Sequence, residues 1–195
     1  MRNPIPVRFA LAAATVLAAM PLAFAGNHPM SSQSSQASQS EEVGTPRRPD
    51  VKPFESAKLS LTQAIAESQK EMRGKTLDAR FEVWQGKPAY LIRTYSANQI
   101  WQTRIDADSG QPLGQPTTVS KSELGPQIQR DITALDNAQT PLDQAIGNAE
   151  QQKGGKAIMA SVKASRSGTA TYDIDLVKNG RLRSAMIDTS TGQMR

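Results

Sequence analysis

The sequence has no cysteine and only one histidine, His28, among its 195 residues. Without cysteine it forms no disulfide and offers no thiol nucleophile and no lipid-attachment site. One histidine near the N-terminus supplies neither a Ser-His-Asp triad nor a zinc cluster, and His28 is expected to be a solvated tail residue. The glycines follow no phosphate-loop spacing. We therefore predict a protein that is not an enzyme, with no catalytic, cofactor-binding or metal-binding residues.

Long apolar runs are also lacking, apart from one at the N-terminus. Two arginines precede an apolar run over 9–20, and Ala-Phe-Ala at 23–25 supplies the small residues that signal peptidase accepts. A transmembrane helix needs roughly 20 apolar residues, whereas this run is shorter and Pro21 interrupts it. We expect residues 1–25 to be a cleaved signal peptide, without a transmembrane anchor, and the product starting at Gly26 to be periplasmic or secreted.

The chain has little excess charge of either sign once the signal peptide is removed. Taking its two arginines from the 23 basic residues leaves 21 against 18 acidic ones, a net charge of +3. A nucleic-acid surface needs clustered lysine and arginine, and these are spread over both halves. We expect no nucleic-acid partner.

Residues 26–57 have almost no apolar side chains and are rich in Ser, Gln and Pro, as in the stretches SSQSSQASQS and TPRRPD. A segment that buries so little apolar surface does not offset the entropy of ordering. We expect 26–57 to be a flexible tether and folded structure to start near Lys58.

The rest of the chain repeats itself. The stretch RIDADSGQPL at 104–113 returns as MIDTSTGQMR at 186–195, and LTQAI at 61–65 returns as LDQAI at 142–146. The offset is 82 residues late in each copy and 81 early, which one inserted residue near Gly168 explains. The sequence predicts two copies of one unit, at 58–115 and 140–195.

Each copy predicts one helix followed by an antiparallel meander. Ser60 with Gln63 forms a capping-box pattern, and in the second copy Thr140 is expected to cap a helix with Pro141 in its first turn. Gly74 and Gly155 are placed to end the helices. The apolar positions are Leu61, Ala64, Ile65 and Ser68, then Leu142, Ala145, Ile146 and Ala149 at helical spacing, and Leu77, Ala79, Phe81 and Val83 at strand spacing. The fold class is α+β, with two helix-plus-sheet units.

The repeated Asp-x-x-[Ser/Thr]-Gly motif is typical of a turn. Asp106 and Asp188 are suited to accept backbone N–H bonds, and Gly110 and Gly192 to take a positive φ where the chain reverses. Calcium binding is the alternative. The glycine stands one place too early for an EF-hand, and no glutamate follows at the twelfth position, so we favour a structural turn.

These motifs together resemble the PepSY domain. The resemblance is carried by the helix LTQAIAESQ, the Tyr-containing strands KPAYLIR and TATYDIDL, and the closing turns IDADSGQPL and IDTSTGQM. It covers about 58–115 and 140–195. It implies a helix on an antiparallel sheet and a domain that occurs in metallopeptidase propeptides and in free-standing exported proteins. It also implies protein or peptide binding, with no cofactor and no catalytic residue.

Residues 116–139 link the copies and predict a short helix. Pro126 is suited to open it, and Ile128, Ile132 and Leu135 form an apolar stripe that we expect to pack on one or both copies, so that two sheets present a composite surface. Trp84 is out of phase with the buried positions of its strand. It is a possible partner contact, with cover by the linker helix as the alternative.

One pair of carboxylates is a candidate for acid–base chemistry. Asp173 and Asp175 alternate with Tyr172, Ile174 and Leu176 and so share one face of a strand. Period-two burial places the apolar set inward, and we expect both aspartates to lie in water.

The sequence thus predicts an exported, non-catalytic module that binds a protein or peptide, with a secreted peptidase as the candidate target of inhibition or regulation. The alternative is a structural accessory protein of the cell envelope without a regulated target, and an enzyme ranks third.

Overall fold

The computed structural model describes residues 50–195, and the expectations for 1–25 and for 26–49 lie outside them. The helices are α1 (Val51–Glu55), α2 (Leu61–Glu71), α3 (Pro126–Asn137) and α4 (Leu142–Lys153), with a short 3₁₀ helix at Lys121–Glu123. The strands are β1 (Lys75–Trp84), β2 (Lys87–Ser96), β3 (Gln99–Asp106), β4 (Thr117–Ser120), β5 (Lys156–Ala164), β6 (Ala170–Lys178) and β7 (Arg181–Asp188). No helix between residues 50 and 195 has the length and apolar character that crossing a bilayer requires.

The seven strands form a single antiparallel sheet in the order β4-β3-β2-β1-β5-β6-β7. The two meanders β1–β3 and β5–β7 join where β1 pairs with β5, with Ala79 opposite Ala160 at the centre of the contact. The mixed α+β class is therefore confirmed. The expected pair of separate sheets is wrong, because the first strand of each meander uses its free side to extend the other.

Helices α2 and α4 cover one face of this sheet and touch each other. Every residue of the two predicted helical stripes is buried. Opposite them lie the apolar side chains of the strands, Phe81, Tyr90, Ile92, Ile105, Val162, Tyr172, Ile174 and Ile187, all buried in one cluster. Burial of this apolar surface is the main term that stabilises the fold.

The two copies begin their helices differently. Ser60 and Gln63 form the predicted capping box, with the Ser60 Oγ 3.2 Å from the Gln63 N–H. The expected cap by Thr140 is wrong: Pro141 holds the N-cap position of α4, without a side-chain hydrogen bond. Proline at this point has no N–H to satisfy and presets φ, so the helix starts without a capping side chain.

The expected helix-ending role of Gly74 is wrong as well. Helix α2 ends at Glu71, its C-cap Met72 is extended, and Gly74 lacks a positive φ. A Cβ on Gly74 would lie 2.5 Å from the Tyr95 carbonyl oxygen. In the second copy Gly154 ends α4 with φ +70, and a Cβ on Gly155 would lie 2.4 Å from the Val177 carbonyl oxygen. Glycine at 74 and 155 lets the start of one strand approach its neighbour.

Three further expectations need correction. Residues 51–55, assigned to the tether, form α1, whose buried Phe54 packs edge-on against Phe81 with ring centroids 5.4 Å apart. The linker contains β4 in addition to the helix α3 that Pro126 opens. Val83, expected in the core, is 46% exposed, because alternation continues in the strand beyond the point where the helices cover it.

Candidate functional site

The two closing turns hold their aspartates in the same way. The Asp106 Oδ1 accepts the N–H groups of Asp108 (3.0 Å) and Ser109 (2.8 Å), and the Asp188 Oδ1 accepts those of Ser190 (2.9 Å) and Thr191 (3.1 Å). The Ser109 N–H is the main cause that lowers the pKa of Asp106, against a smaller effect of burial. These oxygens are used to build the turn.

The glycines of these turns take the left-handed conformation. The φ angle is +74° at Gly110 and +69° at Gly192, and each N–H donates to the carbonyl of its aspartate, at 2.9 Å in both turns. The pKa of Asp188 lies well below its ordinary value, first because of the Ser190 hydroxyl and N–H and then because of Arg195. Within residues 50–195 no group of three His, Cys, Asp or Glu side chains is arranged to hold a metal ion.

Each closing turn also anchors the segment that enters the helix. The Ala107 carbonyl accepts the N–H groups of Lys58 and Leu59, and the Thr189 carbonyl accepts those of Gln139 and Thr140. These four N–H groups precede α2 and α4, so the turn fixes the point at which each helix leaves the sheet.

A buried tyrosine completes the same connection in each copy. The hydroxyl of Tyr90 donates to the Leu59 carbonyl at 2.7 Å, and that of Tyr172 donates to the Thr140 carbonyl at 2.8 Å. Burial raises the pKa of Tyr172 to about 12, with a smaller contribution from the charge of Asp143. Burial likewise raises the pKa of Tyr90. Both hydroxyls are therefore neutral hydrogen-bond donors at ordinary pH.

Trp84 is half-buried by its own chain. The guanidinium of Arg104 lies 5.3 Å from the centre of its ring, and the Cα region of Gly114 lies close to its far edge. Arg104 is held there by an ion pair with Glu82 at 2.9 Å. The indole is thus partly covered by residues of the first copy, and its role as a partner contact stays a prediction.

Asp173 and Asp175 alternate in β6 with Tyr172 and Ile174, which are buried in the core, and therefore lie on the opposite face of the sheet. They are half-buried, where we expected both in water. Asp173 accepts the Thr171 hydroxyl at 3.1 Å and Asp175 accepts the Ser184 hydroxyl at 2.6 Å. Burial is the main cause that raises the pKa of Asp173. Each carboxylate thus accepts a hydrogen bond from a different hydroxyl group.

A cavity of about 190 Å³ opens between the end of α2 and the start of α4, next to Leu135 and Lys75. Small-molecule sites usually occupy roughly 300–1,000 Å³. The Nζ of Lys75 donates to the carbonyls of Leu135 and Asp136, at 3.2 and 2.8 Å. Its charge therefore already interacts with the C-terminal carbonyls of α3. This cavity is too small for most ligands of that kind.

Sequence reasoning expected a meander in the second copy but did not single out its last strand, β7, as an exposed edge of the sheet. Leu182 is 37% exposed and Met186 is 50% exposed, and Arg181 and Arg183 are exposed beside Leu182. Neither arginine has an ion-pair partner among the residues that the structure describes. The signal in the sequence was the alternation of arginine with a large apolar residue in RLRSAM.

Comparison with known proteins identifies part of the chain. Residues 58–115 match the family model PepSY, described as "Peptidase propeptide and YPEB domain". The chain is similar to the crystal structure of a candidate lipoprotein from Clostridium difficile 630, with 19% identity and a TM-score of 0.42 over 71% of this chain and 91% of that one. No curated protein matches the sequence. The similarity to the PepSY family is therefore confined to residues 58–115.

Proposed function

We propose that this chain is an exported, non-catalytic module that binds a protein or peptide and inhibits or regulates a peptidase of the cell envelope. The PepSY domain at 58–115 carries this proposal, because that family is described by its occurrence in peptidase propeptides. Propeptide domains act by occupying a surface of a peptidase, which needs a folded scaffold and no reacting group.

We further propose that 140–195 is a second PepSY domain, so that the module carries two. Four features recur at equivalent places in the two copies. They are the closing turn, the hydrogen bonds from the helix entry to a carbonyl of that turn, the hydrogen bond of the buried tyrosine hydroxyl, and the glycine at which the first strand starts close to its neighbour. A chance resemblance would not reproduce long-range hydrogen bonds whose donors and acceptors lie far apart in the chain.

The polar side chains of the described residues support binding over catalysis. Asp78 and Glu82 are paired with Arg93 and Arg104, at 2.6 and 2.9 Å. The two half-buried aspartates of β6 are occupied by hydroxyl donors. Acid–base catalysis needs a group within reach of a substrate proton and a pKa near the working pH. A signal peptide at 1–25 would deliver such a binding module to the periplasm.

The decisive experiment titrates the chain from Gly26 against secreted peptidases of its host. Inhibition is expected to saturate at a fixed molar ratio, because a binding module acts by occupancy. Alanine at Asp173 and Asp175 is expected to leave the inhibition unchanged. Trp84→Ala is expected to weaken it if the exposed part of the indole touches the peptidase.

Two other results would contradict the proposal. Hydrolysis of peptide or ester substrates with multiple turnover by the chain alone, abolished by one carboxylate substitution, would show an enzyme. Stable association with envelope proteins that leaves every peptidase activity unchanged would favour the structural accessory protein.

A further inference from the structure

The two copies differ at their outer edges. In the first, β4 pairs with the outer side of β3, with Thr117 opposite Gln102 and Ser120 opposite Gln99. The offset of 82 residues maps Gln99–Gln102 of β3 onto Arg181–Ser184 of β7. Within residues 50–195 no strand pairs with that stretch of β7 on its outer side. We call Arg181–Ser184 the open edge.

The backbone of the open edge offers hydrogen-bond groups that point outward. Further along β7, the Met186 carbonyl accepts the Arg195 N–H and the Asp188 N–H donates to the Gln193 carbonyl, both away from β6. Groups of an antiparallel strand alternate in direction with period two. Leu182 and Ser184 therefore also direct their N–H and C=O groups away from β6, where a further strand would bind them.

One apolar side chain shows what the covering strand contributes. Ile100 of β3 lies opposite Val119 of β4 and is only 1% exposed. Its counterpart Leu182 is 37% exposed. A strand on the open edge would bury part of the exposed apolar surface of Leu182, which favours adding one.

The charge beside Leu182 defines the chemistry of that strand. Arg181 and Arg183 flank Leu182 and lack an ion-pair partner among the described residues. In the first copy the matching positions are Gln99 and Trp101, which face Ser120 and Thr118 of β4. Side chains directly opposite each other in an antiparallel pair interact, and opposite charges there are stabilising.

We propose that the open edge binds an extended segment of a partner protein, antiparallel to β7, with an apolar residue opposite Leu182 and acidic residues opposite Arg181 and Arg183. Main-chain hydrogen bonds supply affinity and the three side chains supply the choice of partner. This inference rests on the proposed function for the existence of a protein partner. A second copy is a poor occupant, because Leu182 placed opposite itself would set Arg181 against Arg183.

The first test uses peptides based on the sequence of β4. The probe is Gln-Pro-Thr-Glu-Val-Glu-Lys, which is segment 115–121 with Thr118→Glu and Ser120→Glu, fluorescently labelled and titrated with the chain from Gly26. A control peptide carries lysine in place of both glutamates and is expected to bind about tenfold or more weakly, because it places like charges opposite the arginines.

Protein variants then locate the binding. Arg183→Glu is expected to weaken binding of the glutamate peptide and to strengthen binding of the lysine peptide. The matched control, Arg166→Glu, changes an exposed arginine in the loop between β5 and β6, at the far end of the β6–β7 hairpin, and is expected to change neither. Equal effects of the two variants would show attraction to net charge alone and would overturn the proposal.

The second test reads the backbone geometry. Amide signals of Leu182 and Ser184 are expected to gain protection from hydrogen exchange when the peptide binds, while that of Arg183, which points to β6, stays unchanged. N-methylation of the peptide nitrogens that face β7 is expected to abolish binding, whereas methylation of the alternate nitrogens preserves it. Insensitivity to both would contradict strand addition.

Further outcomes separate this proposal from its rivals. Protection of both amides before any peptide is added would show that another part of the chain, or a second copy if it grows with protein concentration, already occupies the open edge. Peptidase inhibition that Arg183→Glu leaves intact would overturn the open edge and keep the proposed function. Peptide binding without any peptidase inhibition would keep the open edge as a binding site and overturn the proposed function.

Discussion

The first copy, 58–115, and the second copy, 140–195, agree in their interior and differ at their surface. Inside, Tyr90 and Tyr172 make equivalent hydrogen bonds to the helix entry. Outside, the first copy has a covered edge and charged side chains in ion pairs, such as Arg93 with Asp78 at 2.6 Å. In the second, no strand within residues 50–195 covers the outer edge of β7, and Arg181 and Arg183 have no ion-pair partner among these residues. The interior hydrogen bonds of the two segments thus correspond, whereas the charged side chains at their outer edges differ.

The interior agrees because few alternatives satisfy its constraints. A buried carbonyl or hydroxyl without a partner costs about 1–3 kcal/mol, so each hydrogen bond that connects turn, strand and helix is hard to replace singly. A solvent-exposed strand edge carries no such penalty, since water satisfies its groups. The two edges were therefore free to differ while the two cores were not.

The largest expected effect on stability comes from Gly155 and Gly74, where one strand starts close to the backbone of its neighbour. Gly155→Ala places a Cβ against the Val177 carbonyl at a φ of +100°, and we expect it to lower the free energy of unfolding by about 2–4 kcal/mol. Gly74→Ala meets the Tyr95 carbonyl without the unfavourable φ, and we expect about 1–3 kcal/mol. Urea unfolding followed by circular dichroism measures both.

Gly147 is the matched control for these two variants. It lies inside α4, and a Cβ there meets nothing within 4 Å. Gly147→Ala is expected to stabilise the protein by about 0.5–1 kcal/mol, because alanine favours the helix. If Gly155→Ala and Gly147→Ala changed the stability equally, the close approach of Gly155 to the Val177 carbonyl would not explain why glycine stands at 155.

The tyrosines are expected to have the next largest effect. Tyr172→Phe leaves the buried carbonyl of Thr140 without its donor, and we expect a loss of about 2 kcal/mol. Tyr90→Phe affects the Leu59 carbonyl, which is partly exposed and gains water in compensation, so that about 1 kcal/mol is expected. Equal losses, measured by urea unfolding at pH 7, would contradict the difference in burial.

The same tyrosines predict a fall in stability at alkaline pH. The folded-state pKa of Tyr172 is about 12, above its ordinary value of 10.0. A raised folded-state pKa means that the hydroxyl contributes its full stability below pH 10 and loses it as the pH rises towards 12. The urea midpoint is expected to fall over this range, and to fall less in Tyr172→Phe.

The sequence predicted the parts of this fold that depend on local signals. Helical spacing placed Leu61, Ile65 and Ile146 in the core, the Ser60–Gln63 pair marked the start of α2, and Pro126 marked the start of α3. In each case the signal lies within one element or one turn, so the local pattern of residues contains the information.

The rest depends on contacts between distant segments. Nothing near Ala79 indicates that it pairs with Ala160, and β4 is four polar or β-branched residues that become a strand only because β3 offers an edge. The local sequence around Gly74 predicts a helix end, whereas in the structure this glycine leaves room for the Tyr95 carbonyl of the neighbouring strand. The open edge could be recognised only after the first copy had shown what covers the matching position.

The smallest expected effect tests whether the two closing turns are energetically alike. Gly110→Ala and Gly192→Ala both force a side chain into φ near +70°, where a Cβ would lie 3.2 Å from the Leu59 side chain and 3.1 Å from the Thr140 hydroxyl. We expect each to cost about 1 kcal/mol. Asparagine tolerates this conformation better than alanine, so Gly110→Asn and Gly192→Asn are expected to cost less and serve as controls for backbone strain. Urea unfolding of the four variants gives the comparison. Equal losses at 110 and 192 would place the whole difference between the copies at their outer edges, whereas a loss at one site alone would show that the turns, too, have diverged.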